Sequence, residues 1–248
     1  MASAPSFIEP PVPSFLFDLD GTLIDSVYQH VVAWRAALTA IGIDLSVWRI
    51  HRRIGMSGGL FVSALLRETG RSLSREDIDQ LQRAHAAEYR EQMDSVTPLP
   101  GAEELLATLT DAGVRWAIAT SGYAATARPA LKLLGLPEDT PMVTRDLVRH
   151  AKPDPDLFLA AAAELSVDPR FAMVVGDSVW DQLAARRAGA LGVGLLSGGY
   201  GREELERAGA FRVYADPAEM LSRLDELGVR TGAPSGGDWG GRPPGEQR

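Results

Sequence analysis

The stretch SFLFDLDGTL, residues 14–23, decides how the rest of the chain is read. Ser14 to Leu19 is a short apolar run ending in acids, the pattern of a buried strand. Asp18 stands at its tip and Asp20 lies just past it, beside Gly21, a residue that lets the chain turn sharply. Alternate residues of an extended strand point to opposite faces. A turn at Gly21 is therefore what brings both carboxylates round one point.

Working outward, residues 26–41 have helical spacing, with Val27, Val31, Trp34, Leu38 and Ile41 on one stripe. Residues 43–95 carry further helical patterns and no convincing strand, divided by Gly55 and Gly58-Gly59. Pro98, Pro100 and Gly101 mark a boundary. After it the pattern alternates. Strands are predicted at 114–119, 141–144, 171–175, 191–195 and 211–214, and helices at 102–112, 124–134, 155–165, 178–188 and 217–227. Such alternation implies right-handed crossovers and a parallel sheet covered on both faces. The expected fold is α/β, a Rossmann-like parallel sheet with helices on both faces, plus an inserted all-helical cap. The expected division is a flexible N-terminal tail at 1–13, an α/β core at 14–24 and 96–228, a helical cap at 25–95, and a Gly- and Pro-rich disordered tail at 229–248. Trp34 and Trp48 are expected in the cap core, and Asp25 as the cap of the first helix, with a hinge role also open to it.

The 248 residues are 45% hydrophobic, ample to bury a core. A net charge of −8 repels nucleic acid and anionic lipid, so neither is expected as a partner. Cysteine is absent, which excludes thiolate nucleophiles, Cys-ligated metals and disulfides. His30, His51, His85 and His150 show no zinc-helix spacing; His51 and His85 read as ordinary cap residues. No apolar run approaches the roughly 20 residues of a membrane helix. The first residues lack the basic start and apolar run of a signal peptide, so a cytoplasmic protein is expected, as a monomer or homodimer. Lysine occurs only at 132 and 152 in a chain that otherwise writes arginine. Lys152 therefore hints at chemistry needing a compact point charge.

Ligands of open parallel sheets bind beyond the carboxyl ends of the strands. Listing the residues there gathers Asp18, Asp20, Gly21 and Thr22; Thr120, Ser121 and Gly122; Lys152-Pro153; Gly176, Asp177, Ser178 and Asp181. Four ionised carboxylates share a site only if protonated or neutralised. Oxygen ligands without His or Cys point to Mg²⁺ rather than zinc. One carboxylate can then attack phosphorus while the other protonates the leaving oxygen and activates water.

These residues, DLDGTL from Asp18, Thr120-Ser121 after a strand, Lys152-Pro153-Asp154-Pro155 and GDSVWD from Gly176, resemble the four ordered motifs of the haloacid dehalogenase (HAD) superfamily. Within it the chain looks most similar to the phosphoglycolate phosphatase and β-phosphoglucomutase-like branch with a helical cap. The resemblance implies an Mg²⁺-dependent phosphatase acting on a small phosphorylated metabolite. It implies Asp18 as nucleophile and metal ligand, and Asp20 as general acid/base with its backbone carbonyl on the metal. Thr120, with Ser121, would bind the phosphoryl group; Lys152 would stabilise Asp18 and the phosphoryl oxygens. Asp177 would ligate Mg²⁺, and Asp181 would sit behind the ligands or reach the metal through water. Ile54-Gly55-Met56-Ser57-Gly58 resembles the substrate-specificity loop, with Gly55 in it and Arg53 beside it as a candidate for the substrate's distal group.

Bland alternatives stand beside each motif. Asp18 and Asp20 can end a strand, Thr120-Ser121 can cap a helix, Lys152 can lie on the surface, Asp177 and Asp181 can serve a helix dipole, and Arg52 and Arg53 can form a solvated face. The loop Gly198-Gly199-Tyr200-Gly201 reads as a turn. Other functions remain open: a sugar-phosphate phosphomutase with the same nucleophile, a metal-independent dehalogenase, or a receiver-like signalling module.

Overall fold

The computed structural model describes residues 13–70 and 72–230. The expected tails fall outside these residues apart from Pro13, Val229 and Arg230. Val229, placed in the C-terminal tail by its sequence context, is 2% exposed and packs into the core.

The first strand, β1 (Ser14–Phe17), is buried along its whole length. Phe15 and Phe17 join one apolar cluster and Leu16 another, so the strand alternation is read out on two faces. A two-residue strand β2 (Ile24–Asp25) follows and pairs antiparallel with β3 (Thr97–Pro98). Between the two strands of this ribbon run α1 (Val27–Ala40), α2 (Val47–His51), α3 (Gly58–Thr69) and α4 (Arg75–Gln92). Their apolar stripes meet in a separate cluster containing Val31, Trp34, Leu38, Ile50, Phe61, Leu65 and Leu81. The helical block thus has its own core, joined to the sheet through the ribbon.

The remaining elements alternate: α5 (Ala102–Asp111), β4 (Trp116–Ala119), α6 (Ala124–Leu133), β5 (Met142–Val143), α7 (Asp156–Glu164), β6 (Ala172–Gly176), α8 (Val179–Ala188), β7 (Leu191–Leu195), α9 (Arg202–Ala208), β8 (Ala210–Tyr214) and α10 (Pro217–Ser222). Six parallel strands lie in the order β5-β4-β1-β6-β7-β8. Residues of α5, α6 and α10 pack on one face of the sheet and residues of α7 and α8 on the other. Leu16, Leu157, Phe158 and Leu105 are fully buried; removing each such side chain from water contributes about 1.5–3 kcal/mol. Strand order reverses at β1, the place where a doubly wound sheet opens a crevice. The fold is the expected Rossmann-like α/β sheet with an all-helical insertion.

Several local expectations differ. Helix α9 escaped the sequence pattern because only Leu205 and Ala208 of REELERA are buried, too few to make a stripe. Strands β2 and β3 are too short to show a period of two. The helix predicted at 217–227 breaks into α10 and a 3₁₀ turn, Leu224–Leu227. Gly58 and Gly59 do stand at a division of the helical block, between α2 and α3, but they belong to the first turn of α3, where the Ser57 side chain accepts from Leu60 N at 3.4 Å and caps the helix. Trp48 is 62% exposed and does not belong to the cap core, whereas Trp34 does. Asp25 does not cap α1: that position is held by Ser26, and Asp25 lies in the ribbon.

Candidate active site

Each acid or hydroxyl gathered above is carried to one sheet edge by its strand. Asp18 follows β1, hydrogen-bonding through its backbone N–H to Val175 O at 2.8 Å. Because β4 and β6 flank β1, Thr120 and Asp177 arrive on either side of it. Gly21, at φ +79°, makes the turn that follows, and an added Cβ would strike Asp177 Oδ2 at 2.7 Å.

Asp18, Asp177 and Asp181 are all buried, and one carboxylate oxygen from each lies within 4.8 Å of the others. Burial pushes the Asp18 carboxyl up to about 7, with Asp181 and Asp20 adding to the effect and Lys152 opposing it. Burial, then the charges of Asp181 and Asp18, raises Asp177 as well. Such a group of carboxylates demands positive charge. Lys152 supplies part of it: fully buried, it pairs with Asp18 and, at 2.8 Å, with Asp181 Oδ1. Burial alone favours the neutral amine, yet these two carboxylates outweigh it and raise the Lys152 pKa. One lysine against three acids leaves an excess of negative charge on oxygen donors only, a donor set that fits a hard divalent cation such as Mg²⁺.

Asp181 serves two partners. Its Oδ2 accepts from Ser178 N at 3.1 Å, closing a capping box at the start of α8, while Oδ1 faces Lys152. The helix-cap reading of this residue is realised, and its other oxygen faces the buried lysine of the cluster. Asp177 is held by Thr22 Oγ1, which donates to its Oδ1 at 3.1 Å. Gly198 passes so close that a Cβ there would lie 1.7 Å from Asp177 Oδ2. Thr120 is 1% exposed, and its Oγ1 accepts from Gly122 N at 2.9 Å, which shapes the turn after β4.

The Asp20 side chain has partners of its own, outside the three clustered acids. Ser26 Oγ donates to its Oδ1 at 2.6 Å, and this leaves Ser26 no side-chain hydrogen bond for capping α1. His30 Nε2 faces the same oxygen at 3.1 Å; a carboxylate only accepts, so this nitrogen carries the proton. Burial pushes Asp20 up, but His30, Ser26 and Lys152 outweigh it and the net shift is downward. Behind His30, Nδ1 meets His85 Nε2 at 3.1 Å, and burial lowers the His85 pKa well below its ordinary value. His30 was not singled out from the sequence. Its signal was its spacing from Ser26, one turn along a helix whose start touches Asp20.

Three segments of the sheet edge, those following β4, β6 and β7, meet the helical block. Ser121 Oγ donates to Gly55 O at 2.9 Å, and His51 Nε2 donates to Gly198 O at 2.7 Å. Trp180 Nε1 and Tyr200 OH both donate to Arg52 O, at 3.3 and 2.8 Å. Arg52 also pairs with Glu204 and lies over the Tyr200 ring. Arg52 thus joins the two blocks instead of forming a solvated face, and the loop after β7 is more than a turn. Between the blocks lies a cavity of about 100 Å³ bordered by Asp18, Asp20, His30, Arg53, Gly55 and Thr120. Among the described residues no helix is long and apolar enough to cross a membrane.

Residues 12–189 match the model of the haloacid dehalogenase-like hydrolases. The chain is 35% identical over 181 residues to hexitol phosphatase A of Escherichia coli (strain K12), covering 71% of this chain and 79% of that protein. It is 31% identical over 191 residues to a phosphoglycolate phosphatase of Agrobacterium fabrum, covering 75% and 81%. A crystal structure of a hydrolase from Pseudomonas syringae, 55% identical, superposes with a TM-score of 0.85 over 87% of this chain and 99% of that one. With four motifs converging on one strand-tip cluster and a family model spanning all of them, the chain belongs to the haloacid dehalogenase-like hydrolases.

Proposed function

We propose that this HAD-family phosphomonoester hydrolase cleaves a small phosphorylated metabolite by passing the phosphoryl group first to Asp18 and then to water. The observation that carries the reading is a buried carboxylate at a strand tip, paired with a buried lysine and set beside a buried threonine hydroxyl. In the first step an Asp18 oxygen forms a bond to phosphorus as the bond to the ester oxygen breaks, and Asp20 gives that oxygen a proton. In the second, water attacks phosphorus, Asp20 takes its proton, and Asp18 leaves as a carboxylate with inorganic phosphate released.

Ser26 and His30 fix the position of the Asp20 carboxyl; it enters the first step protonated and is protonated again by the second, so the proton it gives to the leaving oxygen is recovered from water. Lys152 and Thr120 would steady the transferring oxygens. Asp18, Asp177 and the Asp20 carbonyl would hold Mg²⁺, which offsets the carboxylate charge and polarises the phosphoryl group; Asp181 would orient these ligands through Lys152. Gly55, hydrogen-bonded to Ser121, seats the specificity loop on the phosphate-binding turn and helps exclude water. Residues 25–95 act as the cap that closes the site.

Turnover of a panel of phosphorylated metabolites, with and without Mg²⁺, tests this reading. Asp18→Asn is expected to lose at least about 10³-fold in kcat with the fold intact by circular dichroism. Release of inorganic phosphate separates hydrolysis from mutase action, and persistence of activity in EDTA would favour a metal-independent dehalogenase.

A further inference from the structure

The phosphoryl end of a substrate faces Asp18, Lys152 and Thr120, so its organic part must lie against the helical block. That wall presents the apolar faces of Trp34 and Phe61, with Gln82, His85 and Arg53 among its polar groups. Arg53 is the one arginine or lysine on this wall among the described residues, and its charge is already engaged. Its Nη2 donates to Glu68 Oε2, and its Nη1 donates to Arg49 O at 2.6 Å. The other Glu68 oxygen takes Arg49 Nη1 at 3.1 Å, so one carboxylate on α3 holds both arginines. The histidines supply no replacement: the His30 ring nitrogens face Asp20 and His85, and burial favours neutral His85. On the far side stand the carboxylates of Asp18 and Asp20. An anionic organic part would therefore be desolvated beside like charge with the wall's one cation already tied to Glu68, whereas uncharged hydroxyls find neutral hydrogen-bonding groups.

We propose that Glu68, by holding Arg53, sets the specificity of the site for esters whose organic part is an uncharged polyol over esters carrying a carboxylate or a second phosphate. The inference rests on the phosphatase reading and adds the class of substrate. Glu68 acts through Arg53 and is a specificity-determining residue rather than a catalytic one.

The test uses a matched pair of three-carbon esters, glycerol 3-phosphate and 3-phosphoglycerate, which differ at the far carbon by hydroxymethyl against carboxylate. The intact chain with Mg²⁺ is expected to favour glycerol 3-phosphate at least 10-fold in kcat/KM. Glu68→Gln is expected to reduce that ratio at least fivefold, chiefly through a lower KM for 3-phosphoglycerate. Adding Arg53→Gln to it is expected to restore the ratio, which a purely structural role of Glu68 would not do. If either ester turns over too slowly, competitive inhibition of p-nitrophenyl phosphate cleavage reads the same ratio. A wild-type preference for 3-phosphoglycerate overturns the inference without any variant, and so does an unchanged ratio in a folded Glu68→Gln protein. Failure of the phosphatase reading shows separately, as p-nitrophenyl phosphate cleavage that is absent or survives Asp18→Asn.

Discussion

Replacing Lys152 by methionine removes the one cation that the described residues bury among Asp18, Asp177 and Asp181 and leaves a side chain of similar length in its place. Lys152 is fully buried, pairs with Asp18, and lies 2.8 Å from Asp181. The three acids offer oxygens within 4.8 Å of one another, so each ionised pair repels by at least about 3 kcal/mol at an effective dielectric near 20. Replacing a whole buried ion pair by apolar groups is often neutral, but removing one partner strands the other, at a cost of about 3–5 kcal/mol. We expect Lys152→Met to lose about 3–5 kcal/mol at pH 8 in EDTA by urea denaturation, followed by tryptophan fluorescence. The loss should shrink at pH 5, where acids raised by burial take up protons, and millimolar Mg²⁺ should restore part of it at pH 8. A loss below about 1 kcal/mol, or one equal at both pH values, would refute the claim that Lys152 neutralises ionised carboxylates.

Two further perturbations probe the same cluster. Gly198→Ala forces a methyl group onto Asp177 Oδ2 and is expected to raise the Mg²⁺ concentration for half-maximal activity about 10–100-fold; an unchanged metal titration would show that Asp177 does not hold the ion. In metal-free protein, Asp18→Asn should help stability more at pH 8 than at pH 5. A carboxyl raised to about 7 is destabilising when ionised, and that penalty is relieved as pH falls from 7 toward the unfolded value near 4. Taking the difference between variant and wild type cancels the opposing contribution of His85, and a pH-independent difference in urea midpoints would contradict the burial argument.

What the sequence alone determined is local in origin. An apolar run ending in DLDGTL, and Thr120, Lys152 and Asp177 following predicted strands, are patterns of a few consecutive residues. A parallel sheet places every strand end at one edge whatever the details of packing. Fold class, the inserted helical block and the gathering of these side chains at one edge follow from that. Tertiary structure decided the rest, because no short-range signal encodes it. Asp20 turns toward Ser26 and His30 only once α1 leaves the ribbon at that angle. His85 reaches His30 from 55 positions along the chain, Arg52 pairs with Glu204 across 152, and Glu68 meets Arg53 only when α3 folds back on the segment after α2. Trp48 faces solvent for the same reason: helical spacing says which residues share a stripe, and only the neighbouring helices decide which stripe is covered.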